Sequence, residues 1–143
     1  MEIVKLNKDY ANELFLIDKS AFKNCWTADE FFVELNTQNR IYFGVKENKK
    51  LIAYIGLNVV FDECDIIRIA VLKEEQHKGV AKYLLNQVIN FLKQNNVFKI
   101  MLEVSDRNNS AINLYKSVGF KQIFLREKYY EDMSNALIFE LEL

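Results

Sequence analysis

The chain has 143 residues, half of them hydrophobic and 27% charged, with 19 Lys and Arg against 20 Asp and Glu for a net charge of -1. That length fits one domain, the apolar fraction supports a core rather than a disordered polymer, and the even charge balance argues against a general nucleic-acid binder. The longest apolar stretch, Leu51 to Phe61, falls well short of the ~20 residues that span a bilayer, so no membrane partner is expected.

Met1-Glu2-Ile3-Val4-Lys5 lacks a signal-peptide core, and two cysteines make no disulfide framework. A reducing cytoplasm is the expected location. One histidine with scattered Cys25 and Cys64 gives no metal-ligand spacing, so no metal is expected and both cysteines read as small core residues. The chain has no proline and four glycines, so no stretch reads as a linker and each glycine has a positional reason.

Glu2 to Leu6 alternates as a short strand. A helical stripe follows with Leu14, Ile17 and Ala21, flanked by Phe15 and Phe22. Thr27-Ala28-Asp29-Glu30 is a capping box that opens a second helix carrying Phe31, Phe32 and Leu35. Ile41 to Lys46, Leu51 to Phe61 and Cys64 to Leu72 read as three strands of an antiparallel meander, joined by Glu47-Asn48-Lys49-Lys50 and Asp62-Glu63.

The period then changes. Val80, Leu84, Val88, Phe91 and Leu92 predict a helix from Gly79 to about Gln94, ended by Asn95-Asn96. Phe98 to Val104 reads as a strand, with Ile100, Leu102 and Val104 on one face and Met101 and Glu103 on the other. Strand, helix and strand make a β-α-β unit, so its two strands should be parallel. Ser110 to Val118 is a short helix with Ala111, Leu114, Tyr115 and Val118 inward, and Gly119 sits where a helix end needs positive φ. Strands close the chain at Phe120 to about Tyr129 and Ala136 to Leu143. The expected architecture is an α/β (α+β) single domain over residues 1–143, a mixed central sheet flanked by helices.

The loop Lys73-Glu74-Glu75-Gln76-His77-Lys78-Gly79 carries the first functional signal. A strand ends, a polar loop follows, and a helix begins at a glycine followed by small residues. Free amides and partial positive charge at a helix N-terminus suit phosphate. Gly79 leaves room for close backbone approach, Ala81 keeps the first turn open, and His77, Lys78 and Lys82 add local positive charge. By spacing alone the same residues also describe an ordinary strand-to-helix turn.

Gln76-His77-Lys78-Gly79-Val80-Ala81 resembles the Q/R-x-x-G-x-G/A signature of the GNAT N-acetyltransferase superfamily. Asn108, Ala111, Leu114-Tyr115 and Gly119-Phe120 resemble its N-x-x-A-x-x-L-Y-x-x-x-G-F segment. Leu102-Glu103-Val104 with Asn108 and Tyr115, Tyr129-Tyr130 before the last strand, and Cys25-Trp26-Thr27 before the second helix are similar to the bacterial ribosomal-protein-alanine N-acetyltransferases. The likeness runs along the whole chain. It departs at Cys25 and Lys73, where many relatives carry proline, and at Met133-Ser134-Asn135, where relatives often carry an acidic pair.

The resemblance implies the GNAT acyltransferase fold with acetyl-CoA as cosubstrate. Backbone amides from Gln76 through His77, Lys78, Gly79, Val80 and Ala81 to Lys82 would hold its pyrophosphate. Ile69, Ala70 and Val71 would run beside the pantetheine arm, with an amide near Val71 for the oxyanion. Asn108 would bond that arm; by itself it reads as a helix cap.

Acetyl transfer to an amine needs a base, an oxyanion donor and an acid for the leaving thiolate. Glu103 is the candidate base, near the end of the second parallel strand, where α/β sheets place ligands. Without the resemblance it reads equally as a solvated carboxylate. Tyr115 is the candidate acid; by itself it reads as a half-buried aromatic. Trp26 and Tyr130 are candidate walls of an acceptor groove. An α-amine titrates at ~7.7–8.0 against ~10.4 for lysine, so an N-terminal acceptor asks less of its base.

The expected partner is a protein N-terminus, that of a small-subunit ribosomal protein beginning with alanine, met by a monomer or weak dimer. A small amine, an amino acid or a lysine side chain stays open as acceptor, as does a non-catalytic acyl-CoA-binding module.

Overall fold

The computed structural model describes residues 1–143. The meander forms as the alternation predicts: β1 (Glu2–Lys5), β2 (Arg40–Glu47), β3 (Lys50–Val60) and β4 (Glu63–Val71) pair antiparallel in that order. Two helices, α1 (Ala11–Ala21) and α2 (Ala28–Leu35), precede β2. Thr27 and Glu30 close the expected capping box at the start of α2. After β4 come α3 (Val80–Gln94), β5 (Lys99–Ser105), α4 (Asn109–Ser117), β6 (Lys121–Arg126) and β7 (Ala136–Glu142). The sheet runs β1-β2-β3-β4-β5-β7-β6, and β4–β5 is its one parallel pair.

Neighbouring side chains on β2 separate the two faces. Tyr42 bonds Glu34 of α2, whereas the Phe43 ring meets Phe91 of α3 at 4.9 Å. So α1 and α2 cover one face and α3 the other. The α3 stripe Val80, Leu84, Leu85, Val88 and Leu92 is buried as its period requires. On the α1/α2 face an aromatic series runs from Tyr42 through Tyr54 and Phe31 to Trp26, with ring centroids 5.3 to 6.2 Å apart.

Three expectations need correction. Phe120 lies outside β6, packed on α4, and β6 ends at Arg126; all six of its residues are exposed. Cys64 is core, but Cys25 is only half-buried, because it sits in the exposed α1–α2 connection. A short turn, Lys73–Glu75, follows β4 where a plain loop was expected.

The parallel pair is short. It holds only at Glu63↔Lys99, Cys64↔Ile100 and Asp65↔Met101, after which the strands part. The cause is local. Against β3, Leu57 faces Ile66 and Gly56 faces Arg68, so Ile67 is an extra residue in β4. Such a bulge bends its strand. Beyond it β4 stays with β3 as far as Val71, while β5 stays with β7 as far as Ser105.

One charge is wholly buried on the α1/α2 face. Asp18 of α1 has no exposed surface. Its carboxylate accepts from Arg68 Nε (2.9 Å) and Nη2 (2.8 Å), from the Tyr54 hydroxyl, and from the Trp26 amide (2.8 Å). Removing one partner of such a pair strands the other in a low dielectric. Asp18→Ala should therefore lower the unfolding free energy by about 3–5 kcal/mol in a urea titration. A loss under about 1 kcal/mol, the scale of a surface pair, would show that the network carries no such weight.

Candidate active site

The parting of β4 and β5 opens a cleft of about 490 Å³. Its walls are Ile69, Ala70 and Val71 of β4, the loop residues Gln76, His77 and Gly79, the first turn of α3 (Val80, Ala81, Lys82), and Asn108 at the start of α4. Ten of the residues singled out in the sequence thus meet around one cavity. Ala21 and Phe22 at the end of α1, Glu75, and Ser110, Ala111 and Leu114 of α4 complete it. Ala111 and Leu114 read from sequence as inward packing residues; the split in the sheet gives them a cavity to face instead.

The loop is shaped by two left-handed residues. His77 has φ 64° and Gly79 φ 82°. A Cβ on Gly79 would meet nothing within 4 Å, so glycine is needed there for its backbone angle, and the space in front of it is open. Gln76 Nε2 donates to the Val71 carbonyl at 3.0 Å and ties the loop to the strand. The first helical bond of α3 runs from Tyr83 to the Gly79 carbonyl at 3.0 Å, and no side chain caps the helix. The amides of Val80, Ala81 and Lys82 therefore have no helical partner and stand at the cleft with the positive end of the helix dipole. Lys78 does not line the cleft; its ammonium lies 3.3 Å from the Glu75 carboxylate.

Tyr115 is held by the end of α4. Phe120 donates its amide to the Tyr115 carbonyl (3.0 Å) and Gly119 to that of Lys116 (3.1 Å), the paired bonds of a Schellman motif with Gly119 at φ 107°. The Phe120 and Tyr115 rings then meet edge to face at 5.6 Å. Burial pushes the Tyr115 phenol up to about 12, so it stays protonated through the neutral range. Its hydroxyl has no hydrogen-bond partner, yet no buried side-chain oxygen goes unsatisfied, so the oxygen reaches solvent. Asn108 Oδ1 accepts from the Ala111 amide at 3.2 Å, the capping role its residue type suggests, while the side chain also borders the cleft.

Glu103 is exposed on β5 between buried Leu102 and Val104, as the alternation requires, and is not on the cleft wall. The loop before β7 brings Tyr130 towards it. Ser105 Oγ donates to Ser134 Oγ (2.9 Å), and Asn135 bonds both oxygens of Asp106 (3.2 and 2.9 Å). The Tyr130 phenol is raised by partial burial and then by the negative charge of Glu103. In the same loop the Ser134 hydroxyl and amide bond Asp132 and hold that carboxyl below its usual range.

Trp26 lies elsewhere, on a second hollow of about 380 Å³ shared with Asp29, Glu30, Val33 and Glu34 of α2. Between the hollow and the cleft stands Arg68, which the sequence reading passed over. The visible signal was a single charge inside the apolar run Ile66-Ile67-Arg68-Ile69-Ala70-Val71.

A sheet split between parallel strands, closed at one end by unpaired helix amides, defines the acyl-CoA-dependent transferase class. The comparisons agree. The family model described as Acetyltransferase (GNAT) family matches residues 11–120, and the chain belongs to that family. It is 35% identical over 138 residues to the ribosomal protein bS18-alanine N-acetyltransferase of Haemophilus ducreyi, covering 92% of this chain and 93% of that one. The crystal structure of the ribosomal-protein-S18-alanine N-acetyltransferase from Escherichia coli superposes with a TM-score of 0.92 at 29% identity, over 99% of this chain and 92% of that one. The fold is also that of the PaiA N-acetyltransferase from Thermoplasma acidophilum, solved with coenzyme A (TM-score 0.81, 17% identity, both chains covered in full). No helix is long and apolar enough to cross a membrane.

The buried phenols and thiol set the alkaline limit of the fold. Tyr115 rises from about 10 to about 12 and Cys64 from about 9 to about 12, both through burial, and Tyr42 and Tyr54 shift the same way. Folding favours the neutral form of each. That stability is fully present below the unfolded pKa values and is lost as pH climbs through the folded ones. The urea midpoint should stay level up to about pH 9 and fall between about 9 and 12. Tyr115→Phe should make the fall shallower; a midpoint that rises over this range would contradict the assignment.

Proposed function

We propose that this protein transfers the acetyl group of acetyl-CoA to the N-terminal α-amine of a protein, the acceptor being a small-subunit ribosomal protein whose chain begins with alanine. The observation that carries this reading is the cleft. An extended arm fits between the parted strands, and a diphosphate fits the unpaired amides of Val80, Ala81 and Lys82. The names of the Haemophilus ducreyi and Escherichia coli relatives support the acceptor.

The residues divide the reaction as follows. Glu103 takes a proton from the attacking amine, directly or through one water. A main-chain N–H near Val71 donates to the oxyanion that forms on the thioester carbonyl. Collapse breaks the carbon–sulfur bond, and the Tyr115 hydroxyl donates to the leaving sulfur. Burial keeps the Tyr115 phenol protonated through the neutral range, so its hydroxyl is available to donate a hydrogen bond to the leaving sulfur. Asn108 bonds the pantetheine arm. Tyr130, beside Glu103, and Trp26, on the second hollow, are the candidate walls for the acceptor. Both substrates are bound together, so positioning supplies much of the rate and no covalent acetyl-enzyme is needed. One domain carries out the whole reaction in the cytoplasm, without a metal, as a monomer or weak dimer.

Glu103→Gln should lower turnover on an alanine-led peptide by about 10²- to 10⁴-fold, while coenzyme A binding in a calorimeter is retained. Unchanged turnover removes Glu103 from the chemistry. Intact-mass spectra of ribosomal proteins from cells with and without the gene should differ by one acetyl group on one small-subunit protein. Acetylation of free polyamines or lysine side chains in preference to peptide N-termini would overturn the acceptor assignment.

A further inference from the structure

Arg68 is built into the sheet in an unusual way. The Ile67 bulge turns Arg68 to the same face of the sheet as Asp65: Ile66 pairs with Leu57, whereas Arg68 and Asp65 pair with Gly56 and Asn58, two residues apart on β3. Asp65 pairs with Met101, and Glu103 lies two residues further along β5. Arg68 and Glu103 therefore stand on one face of the sheet, on the two strands that part. Without the bulge, Arg68 would point into the α3 side.

The guanidinium is fixed on three sides. Its Nε and Nη2 donate to the buried Asp18 carboxylate, and Nη2 also reaches the Asn24 carbonyl at 3.3 Å. Phe22, a wall of the cleft, has its ring centroid 4.4 Å from the guanidinium carbon. Trp26, a wall of the second hollow, stands at 4.8 Å. The remaining nitrogen, Nη1, has no protein partner. No buried side-chain nitrogen in the molecule is left unsatisfied, so Nη1 opens to solvent. The result is a planar donor with two free N–H groups, held rigid between the two cavities.

We propose that Arg68 is an acceptor-positioning residue, its free Nη1 edge donating to the carbonyl oxygen of the acceptor's first peptide bond. The inference rests on the proposed acetylation of a protein N-terminus and deepens it. A peptide carries that oxygen three bonds from its α-amine nitrogen, whereas a polyamine or a lysine side chain has none so near its nitrogen. Arg68 then selects N-terminal amines over side-chain amines. It does so without changing net charge at the site, because Asp18 neutralises it.

The test compares an alanine-led hexapeptide with the same peptide whose first amide is replaced by an E-alkene, which keeps the shape and removes the oxygen. A hydrogen bond to a charged donor corresponds to about 10- to 100-fold, so the native protein should prefer the peptide by that factor in kcat/KM. Arg68→Lys keeps a cation against Asp18 and gives up the free fork. It should raise KM for the peptide by the same factor, leave the alkene analogue and coenzyme A affinity unchanged, and so erase the preference. The double variant Asp18→Asn with Arg68→Gln removes both charges of the pair together and should erase it as well. Equal losses on the two acceptors, or a native protein that does not distinguish them, overturn the inference alone. A native protein that acetylates neither overturns the acetylation reading beneath it.

Discussion

The carboxylate of Asp18 is the point on which the geometry of the site depends. An ionised group without exposed surface is tolerated only when its oxygens are filled, and here four donors from three parts of the chain fill them. Those donors belong to β3, to β4 and to the connection after α1. Satisfying one charge therefore fixes α1 against the β3–β4 pair and fixes the entry to α2. The end of α1 supplies Ala21 and Phe22 to the cleft wall, and the following connection supplies Trp26 to the second hollow. Both cavities thus take their outer walls from elements that the same buried ion anchors.

The inner wall comes from the backbone. A parallel pair of only three registered positions would be a weak joint if the strands had nowhere else to go. Each has: β4 continues on β3 to Val71 and β5 continues on β7 to Ser105, so the gap leaves no strand without a partner on one side. The Ile67 bulge sets where the parting begins and reverses which residues face the helices. A single extra residue thereby produces both a channel between strands and a charged side chain on the face that carries Glu103.

The elements themselves were legible because each rests on a local rule. The α3 period, the Thr27–Glu30 box and the alternation through Ile100, Leu102 and Val104 are all decided within a few residues, and each was found as expected. The loop residues of the cleft were legible for the same reason, since Gly79 and the free first turn of α3 are local. What escaped was everything set by a partner far along the chain. Asp18 and Arg68 are 50 residues apart, and neither one alone signals that the other neutralises it. The parting of β4 from β5 has no sequence period at all. For the same reason Leu114 looked like core until the cavity in front of it was seen, and Cys25 looked buried until its connection was.

The two halves of the site are made of different material, and this bears on what can vary. The cleft offers main-chain amides and small or apolar walls, which depend on backbone angles at His77 and Gly79 more than on side-chain identity. The α1/α2 face of the sheet offers side chains instead: Arg68 with Trp26 against it, and the loop pinned by Ser105 and Asp106. Main-chain recognition survives most substitutions, whereas side-chain recognition changes with each one. A fold arranged in this way can keep one donor while exchanging acceptors. In this chain Ser134 bonds Ser105 and Asp132 in the loop before β7, and the guanidinium of Arg68 is held by the buried Asp18. Under the proposed function, selectivity for the acceptor would then rest on a guanidinium fixed by its buried counter-ion, on the sheet face that carries Glu103.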